Sequence, residues 1–258
     1  MIVHNFDPIL IDLGFLSIRW YSLAYIFGIL FGVYFGKYLI KKFFTKSGFS
    51  EKNLDDYVIW AVLGIIIGGR LGYVFFYDFN FYISNWVEIL KVWNGGMSFH
   101  GGLLGIIVSA VLFCRKNKVP FWSLADLLAC ISPIGIFLGR VSNFINGELV
   151  GKPSDASWSF IFPKYDLIPR HPSQLYEALL EGFLLFLLMS FLIKKLNKKS
   201  GFLSIIFLIA YSFFRIVGEN FREPDQHLGY LYLGLSMGTI LSLITILFSC
   251  FFLLLNKK

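Results

Sequence analysis

Long apolar stretches alternate with short polar connections along the whole chain. A helix needs about 20 predominantly apolar residues to cross roughly 30 Å of hydrocarbon. Because hydrocarbon offers the backbone no hydrogen-bond partners, each such stretch predicts a membrane-spanning helix. There are seven, of which the third is short and glycine-rich: Trp20–Ile40, Tyr57–Tyr77, Phe99–Phe113, Phe121–Phe137, Leu175–Ile193, Phe202–Val217 and Tyr230–Leu255.

Basic residues are concentrated in every second connection, after the first, third and fifth segments, and at the end of the chain. Membrane proteins keep such clusters on the cytoplasmic side. The alternation therefore predicts an outside N-terminus and an inside C-terminus. The clusters are Lys41, Lys42, Lys46 and Lys52; Arg115, Lys116 and Lys118; Lys194, Lys195, Lys198 and Lys199; and Lys257 with Lys258.

The composition excludes an ordinary soluble protein. Of the 258 residues, 57% are hydrophobic and 15% are charged, whereas about 25% are charged in an average soluble domain. The net charge of +7 resides in short clusters between apolar segments, which gives no extended face for nucleic acid. We therefore expect an all-α polytopic membrane protein with a single domain over residues 1–258. Its outer loops 78–98 and 141–174 are expected to cover part of a site.

Two smaller features complete this expectation. Cys114, Cys130 and Cys250 lie in or at the ends of apolar segments, with no spacing that suits a metal site or a disulfide pair. We expect buried, unreactive thiols and neither a metal nor a soluble cofactor. The aromatic run 158–162 in the longest outer loop predicts a short strand or an interfacial hairpin.

Ionisable residues inside apolar segments are costly in lipid and point to function. Arg70 follows two glycines in the middle of the second segment, so it must face a polar interior or a partner. A structural ion pair with a carboxylate on a neighbouring helix is an equally good interpretation. Glu177 and Glu181 lie on one face of the fifth segment and are candidates to balance Arg70 or Arg140.

A histidine between glycines marks the start of the third segment. His100 has Gly95 and Gly96 before it and Gly101 and Gly102 directly after it. Glycines allow backbone and ligand to approach closely, and an imidazole near neutral pH is a proton acceptor. A hydrogen-bonded structural histidine is the alternative, which the glycines make less attractive.

Polar side chains are densest where the fourth segment ends. Arg140 and Asn143 share a helical face at i, i+3, and Asn146 and Glu148 follow closely. The guanidinium fork of arginine fits a phosphate, while amides suit hydroxyls or further phosphate oxygens. Glu148 is expected either to orient Arg140 or to bind a glycerol hydroxyl.

A second charged stripe lies at the end of the sixth segment. Arg215, Glu219 and Arg222 are spaced i, i+4, i+7, which places them on one face of a helix. An isolated Arg215–Glu219 pair is the simpler alternative. Together with Arg140 and His100, the stripe predicts an outer-leaflet cavity that binds the headgroup of an anionic phospholipid.

The run Gly139–Gly151 resembles the signature of the prolipoprotein diacylglyceryl transferases, Gly-Arg-x-x-Asn-Phe-x-Asn-x-Glu-x-x-Gly. The resemblance extends in order over nearly the whole chain, although Ser142 stands where the signature usually has glycine or alanine. The other matching blocks are Arg19-Trp20-Tyr21, Gly69-Arg70-Leu71-Gly72-Tyr73, Met97-Ser98-Phe99-His100-Gly101-Gly102, Arg170-His171-Pro172-Ser173-Gln174-Leu175-Tyr176-Glu177 and Phe221-Arg222-Glu223-Pro224-Asp225.

This resemblance implies a bacterial inner-membrane enzyme with seven transmembrane helices. Its members transfer the diacylglyceryl group of phosphatidylglycerol to the lipobox cysteine in the signal peptide of a prolipoprotein, and release glycerol phosphate. This implies membrane lipid and the prolipoprotein as partners, and no cofactor. A lipid or anion transporter is the main rival, but it predicts related halves with interrupted helices, which the sequence lacks. A non-catalytic membrane scaffold gives no reason for the glycines around His100.

The resemblance implies functional weight, by motif position, for Tyr21, His100, Arg140, Asn143, Gly151, Arg215 and Glu219. We hypothesise the following roles in the reaction. His100 would take the proton of the thiol, although a tyrosine or the lipid phosphate remains an alternative acceptor. Arg140 and Arg215 would hold the phosphate, with Glu219 orienting Arg215. Asn143, Asn146 and Glu148 would fix the glycerol headgroup. Tyr21 and Arg222 would complete the wall of the site, and Gly151 matters by its position in the motif alone.

Overall fold

The computed structural model describes residues 2–14, 17–45, 48–196, 200–224 and 229–255. The chain divides into two compact units, one formed by Met1–Gly36 with Ala125–Lys258 and the other by Lys37–Leu124. Six residues named in the sequence predictions lie outside the described residues: Lys46, Lys198, Lys199, Asp225, Lys257 and Lys258.

Helices dominate the chain, as expected. In chain order the elements are β1 (Ile2–Val3), β2 (Ile9–Asp12), β3 (Ser17–Arg19), α1 (Trp20–Phe43), α2 (Glu51–Phe76), α3 (Phe79–Ser84), two 3-10 turns (Trp86–Leu90 and Val92–Asn94), α4 (Phe99–Asn117), α5 (Phe121–Asn146), β4 (Phe160–Ile161), β5 (Pro169–Arg170), α6 (Ser173–Glu177), a π-helical segment (Ala178–Leu184), α7 (Leu185–Leu196), α8 (Phe202–Glu219), a 3-10 turn (Tyr232–Gly234) and α9 (Met237–Leu255).

Among the described residues, six helical stretches are long and apolar enough to cross a membrane, which confirms a polytopic membrane protein. The predicted third crossing forms most of α4, a helix of 19 residues, and its passage through the membrane stays a prediction. Helix α5 continues past the predicted end at Phe137 and includes the first part of the polar signature, up to Asn146. Helix α9 begins later than predicted, because Leu233 and Gly234 adopt positive φ angles of 57° and 71°.

In the unit Lys37–Leu124, glycines bring α2 and α4 into backbone contact. A Cβ at Gly105 would overlap the Gly64 carbonyl oxygen, and one at Gly101 would overlap the Gly68 carbonyl oxygen. Such close approach is the usual role of small residues between membrane helices. Gly101 therefore serves helix packing, and the expectation that it opens room for a ligand beside His100 is wrong for this glycine.

Arg70 binds backbone instead of a carboxylate. It is 3% exposed, and its guanidinium donates to the carbonyl oxygens of Glu88 at 2.6 Å, Ile89 at 3.0 Å, Lys91 at 3.2 Å, Gly96 at 3.1 Å and Gly95. The predicted ion pair of Arg70 with a neighbouring helix is therefore wrong. The arginine is satisfied because the first 3-10 turn after α3, and the residues on either side of the second turn, aim their carbonyl groups at it.

In the other unit, short strands fasten the N-terminus to the long loop. Strand β1 pairs in parallel with β4, which confirms the strand expected at 158–162, and β4 pairs antiparallel with β5. His4 follows β1, and its Nε2 donates to the Phe144 carbonyl oxygen at 2.6 Å. Its ring packs on Phe144 and Phe162, so the strand is tied to the end of α5.

The N-terminal end of α8 is held by a buried carboxylate of α5. Asp126 accepts hydrogen bonds from the Gly201 amide at 2.7 Å and from the Ser204 amide at 2.8 Å. It thereby satisfies amides in the first turn of α8, which have no partners within the helix. Cys114 and Cys130 are buried as predicted, whereas Cys250 is exposed on α9, so the prediction is wrong for that thiol.

The glycine contact between α2 and α4 predicts that alanine destabilises the protein at one glycine of α4 and is tolerated at another. Gly105→Ala should lower the thermal unfolding midpoint in detergent clearly, because overpacking typically costs about 1–3 kcal/mol. Gly102→Ala is the matched control, since its Cβ would meet Ile65 at an ordinary 3.7 Å. Equal midpoints for the two variants would contradict the backbone contact.

The buried imidazole of His4 predicts a loss of stability in acid. Burial lowers the pKa of His4 below its ordinary 6.5, so the unfolded chain binds a proton that the folded chain does not. This contribution is complete above about pH 6.5 and declines as the pH falls. Burial also lowers the pKa of His171, so the wild type must be compared with His4→Gln at pH 7.5 and 5.5. Between these two pH values the thermal unfolding midpoint of the wild type should fall further than that of His4→Gln. Equal decreases in the two proteins would contradict a role of His4 in the loss of stability.

Candidate functional site

Helices α5 and α8 and the stretch from α6 into the π-helical segment bring charged side chains together in one unit. Arg140 comes from α5, Glu177 and Glu181 from α6 and the π-helical segment, and Arg215 with Glu219 from α8. The π-helical segment follows Glu177 directly, and Gly182 within it lies against Phe137 of α5, where a Cβ would come within 2.6 Å. Insertions of this kind are frequent at functional sites.

Arg140 contacts both carboxylates of the fifth span. Its Nη1 lies 2.8 Å from Oε2 of Glu177, and its Nη2 lies 2.9 Å from Oε2 of Glu181. The Nε of Arg140 also donates to Glu181, at 3.3 Å. The sequence prediction that these glutamates balance Arg140 is confirmed.

Arg215 uses the other oxygens of the same two glutamates. Its Nη1 lies 2.8 Å from Oε1 of Glu177 and 3.3 Å from Oε1 of Glu181. Its Nη2 pairs with Glu219, whose second oxygen accepts a hydrogen bond from Ser236 at 2.7 Å. The two arginines are therefore held side by side through shared carboxylates.

The cluster is balanced in formal charge. With Arg222, whose Nη1 lies 3.5 Å from Glu177, three arginines face three glutamates among the described residues. Removing one partner of a buried ion pair typically costs about 3–5 kcal/mol, because the other charge is left uncompensated. The side chains of Glu177 and Glu181 are 0% exposed, while those of Arg140 and Arg215 are 15% and 12% exposed. The two arginines therefore keep some exposed surface, whereas the two glutamates have none.

The loop after α5 is organised around Glu148, which is exposed. The Nδ2 atoms of Asn143 and Asn146 donate to Oε1 of Glu148 at 2.8 and 3.3 Å. The backbone of this loop is fixed from α6, where Gln174 donates to the Glu148 carbonyl at 2.7 Å and Ser173 to the Leu149 carbonyl at 3.1 Å. The two predicted amides thus hold a carboxylate in place, and Glu148 bonds to them in preference to Arg140.

Gly151 lies where three backbone segments meet. It forms an isolated β-bridge with Arg222, and its amide donates to the His171 carbonyl at 3.2 Å. A Cβ on Gly151 would overlap that carbonyl oxygen and would lie 2.8 Å from the Phe221 carbonyl oxygen. Only glycine fits this crossing, which explains its place in the signature.

A buried arginine that the sequence analysis did not single out secures this crossing. Arg170 donates to the Gly151 carbonyl at 2.9 Å and pairs with Asp166 at 2.5 Å and Glu223 at 3.1 Å. Its guanidinium lowers the pKa of the Asp166 carboxyl, as expected for a charge-assisted hydrogen bond. The sequence analysis named Arg170 only as the first residue of a matching block and gave it no role, because an arginine in a polar loop carries no sequence signal of burial.

Tyr21 lies in the first turn of α1. Its ring centroid is 5.2 Å from that of Tyr25, which confirms that the two share a face. Tyr25 is within electrostatic reach of Glu148. The first helix is therefore associated with the loop of the signature within this unit.

His100 belongs to the other unit, Lys37–Leu124. It is an exposed residue in the first turn of α4, where Ser98 caps the helix by accepting a hydrogen bond from the Gly101 amide at 3.2 Å. Its predicted approach to Arg140 stays a prediction.

An apolar cavity of about 610 Å³ adjoins the charged cluster along two helical elements. Its lining includes Phe137 and Leu138, three and two residues before Arg140, and Gly182 and Phe183, directly after Glu181. The apolar cavity and the charged cluster therefore share two helical elements. The other lining residues are Phe27, Leu30, Phe31, Tyr34, Pro133, Ile134 and Phe186.

The sequence model of the family described as prolipoprotein diacylglyceryl transferase matches residues 8–255. A phosphatidylglycerol–prolipoprotein diacylglyceryl transferase of Rickettsia felis is 51% identical over 240 residues, which cover 92% of this chain and 92% of the relative. The enzyme of the same description from Rickettsia canadensis is 50% identical over 246 residues, with 94% of each chain covered.

Proposed function

The chain belongs to the prolipoprotein diacylglyceryl transferase family, and from this membership we propose that it transfers the diacylglyceryl group of phosphatidylglycerol to a prolipoprotein. The acceptor is the thiol of the lipobox cysteine in the signal peptide, and glycerol phosphate is released. The names of the Rickettsia relatives describe diacylglyceryl transfer between phosphatidylglycerol and a prolipoprotein. The partners are membrane lipid and the prolipoprotein; no nucleic acid takes part.

One observation carries the assignment of the lipid site: Arg140 and Arg215 are held together by the same two buried glutamates. A phosphodiester that reaches their exposed edge meets two preorganised guanidinium groups. The apolar cavity beside them suits an acyl chain of the same lipid. A charged headgroup and a hydrocarbon chain are thus accommodated side by side.

The proposed reaction breaks the bond between a carbon of the diacylglyceryl group and a phosphate oxygen, and forms a carbon–sulfur bond. The departing phosphate gains charge, which fixed cationic donors stabilise. We assign this role to Arg140 and Arg215, with Glu219 orienting Arg215. Arg222, which lies near Glu177, completes this wall of the site.

The nucleophile must be a thiolate, because the thiol itself attacks poorly. We assign the removal of its proton to His100, an exposed residue in the first turn of α4. Asn143, Asn146 and Glu148 fix the glycerol headgroup as one hydrogen-bonded group, and Tyr21 lies at the edge of the site. Gly151 contributes through the backbone crossing that shapes the loop.

We place the protein in the bacterial inner membrane with seven crossings, its N-terminus outside and its C-terminus inside. Basic residues in the last turns of three helices support this orientation, because they would all lie on the cytoplasmic side. The site at the opposite ends then faces the outer leaflet. The basic residues are Lys41 and Lys42 in α1, Arg115 and Lys116 in α4, and Lys194 and Lys195 in α7.

The test is transfer from labelled phosphatidylglycerol to a lipobox peptide in detergent. Arg140→Ala should abolish formation of the labelled thioether, because the leaving phosphate loses a cationic partner. His100→Gln should slow the reaction at neutral pH and be rescued partly at higher pH, where more thiol is ionised.

Arg115→Ala, at the far end of α4, is the control for loss of an exposed cation and should retain full activity. Full activity in Arg140→Ala would refute its role at the phosphate. A His100→Gln variant that stays slow at every pH would assign His100 to positioning. A wild type that binds phosphatidylglycerol without transferring it would exclude the proposed activity.

A further inference from the structure

A second, smaller cavity lies in the unit Lys37–Leu124, at the ends of α2 and α4 that carry basic residues. Its volume is about 260 Å³, and it is lined by Asp56, Ile59, Trp60, Phe113, Lys116 and Asn117. Asp56 lies in the second turn of α2 and Lys116 in the last turn of α4. The proposed transferase chemistry makes no use of this cavity.

The cavity carries two opposite charges that are not joined. Asp56 and Lys116 line the same space, but neither belongs to an ion pair among the described residues. Neighbouring carboxylates of α2 do have lysine partners: Asp55 pairs with Lys37 at 2.8 Å. A gap between unpaired opposite charges suits a ligand that is itself dipolar.

The Trp60 ring limits which kind of ammonium group the cavity can bind. The Lys116 ammonium lies 5.3 Å from the centre of the Trp60 ring, so that face of the indole already carries a cation. A quaternary ammonium therefore has no free aromatic face there, and it cannot donate a hydrogen bond to Asp56. A primary ammonium can do so.

The position of the cavity suits a lipid headgroup. Tryptophan and lysine at helix ends are typical of the membrane interface, and Ile59 is 64% exposed beside the cavity, where it can meet acyl chains. One water-sized group needs about 10–15 Å³ in this measure, so a space of about 260 Å³ has room for well over eight such groups. A phosphate joined to an aminoethyl group has about eight non-hydrogen atoms and fits.

We propose that this cavity binds the headgroup of an inner-leaflet phospholipid that carries a primary ammonium beside its phosphate. Lys116 donates to the phosphate, Asp56 accepts from the ammonium, and Ile59 contacts the upper part of the acyl chains. The site is separate in sequence from Arg140 and Arg215. It stands whether or not the transferase assignment holds.

The test is native mass spectrometry of the full-length protein in detergent, titrated with phosphatidylethanolamine, phosphatidylcholine and phosphatidylglycerol that carry identical acyl chains. Asp56→Asn and Lys116→Gln should each weaken binding of phosphatidylethanolamine by about fivefold, the upper range for a partly exposed ion pair. Asp56→Asn should leave phosphatidylcholine unaffected.

Asp55→Asn and Arg115→Gln are the matched controls, because each removes a like charge one residue away without altering the cavity lining. Both should bind phosphatidylethanolamine as the wild type does. Unchanged binding in Asp56→Asn would overturn the proposal. The proposal would also be overturned if phosphatidylglycerol bound more tightly than phosphatidylethanolamine, and if Lys116→Gln removed that binding while Asp56→Asn strengthened it. Those results would define a site for anionic lipids.

Discussion

The sharing of Glu177 and Glu181 between Arg140 and Arg215 is the constraint on which the candidate site depends. Charges inside membrane helices must be paired or face water. Here the glutamates are fully buried and each contacts both arginines. The ion pairs therefore connect α5, the fifth span and α8 while they align two guanidinium groups. The contacts that pack these helices together therefore also position the proposed phosphate site.

The loop between α5 and α6 extends this arrangement, although its strands are only two residues long. Gly151 lets the segments of His171 and Phe221 cross at close range. Arg170 joins Gly151 to Asp166 of the loop and to Glu223, which follows α8. Strand β1 and His4 anchor the N-terminus to the same region. Because these are short contacts between distant parts of the chain, the loop is shaped by tertiary hydrogen bonds.

The sequence predicted the spans well, because hydrophobic length is a direct consequence of bilayer thickness. It also proposed Glu177 and Glu181 as partners of either Arg70 or Arg140, because a charge in a membrane segment needs an opposite charge. The contacts with Arg140 confirm the second alternative. It failed for Arg70, whose partners are backbone carbonyls. Backbone acceptors are present at every residue and leave no pattern in a sequence. The glycine at position 101 was likewise assigned to a ligand when it serves α2, because a sequence does not show which neighbour uses the space.

The most direct test of the central claim measures transfer by Glu181→Gln, which keeps the size of the side chain but removes the charge that Arg140 and Arg215 share. Both arginines remain, so a loss of rate would come from their altered placement. The account predicts a transfer rate at least about tenfold below the wild type, with helix content unchanged by circular dichroism. A folded Glu181→Gln protein with the wild-type rate would contradict it.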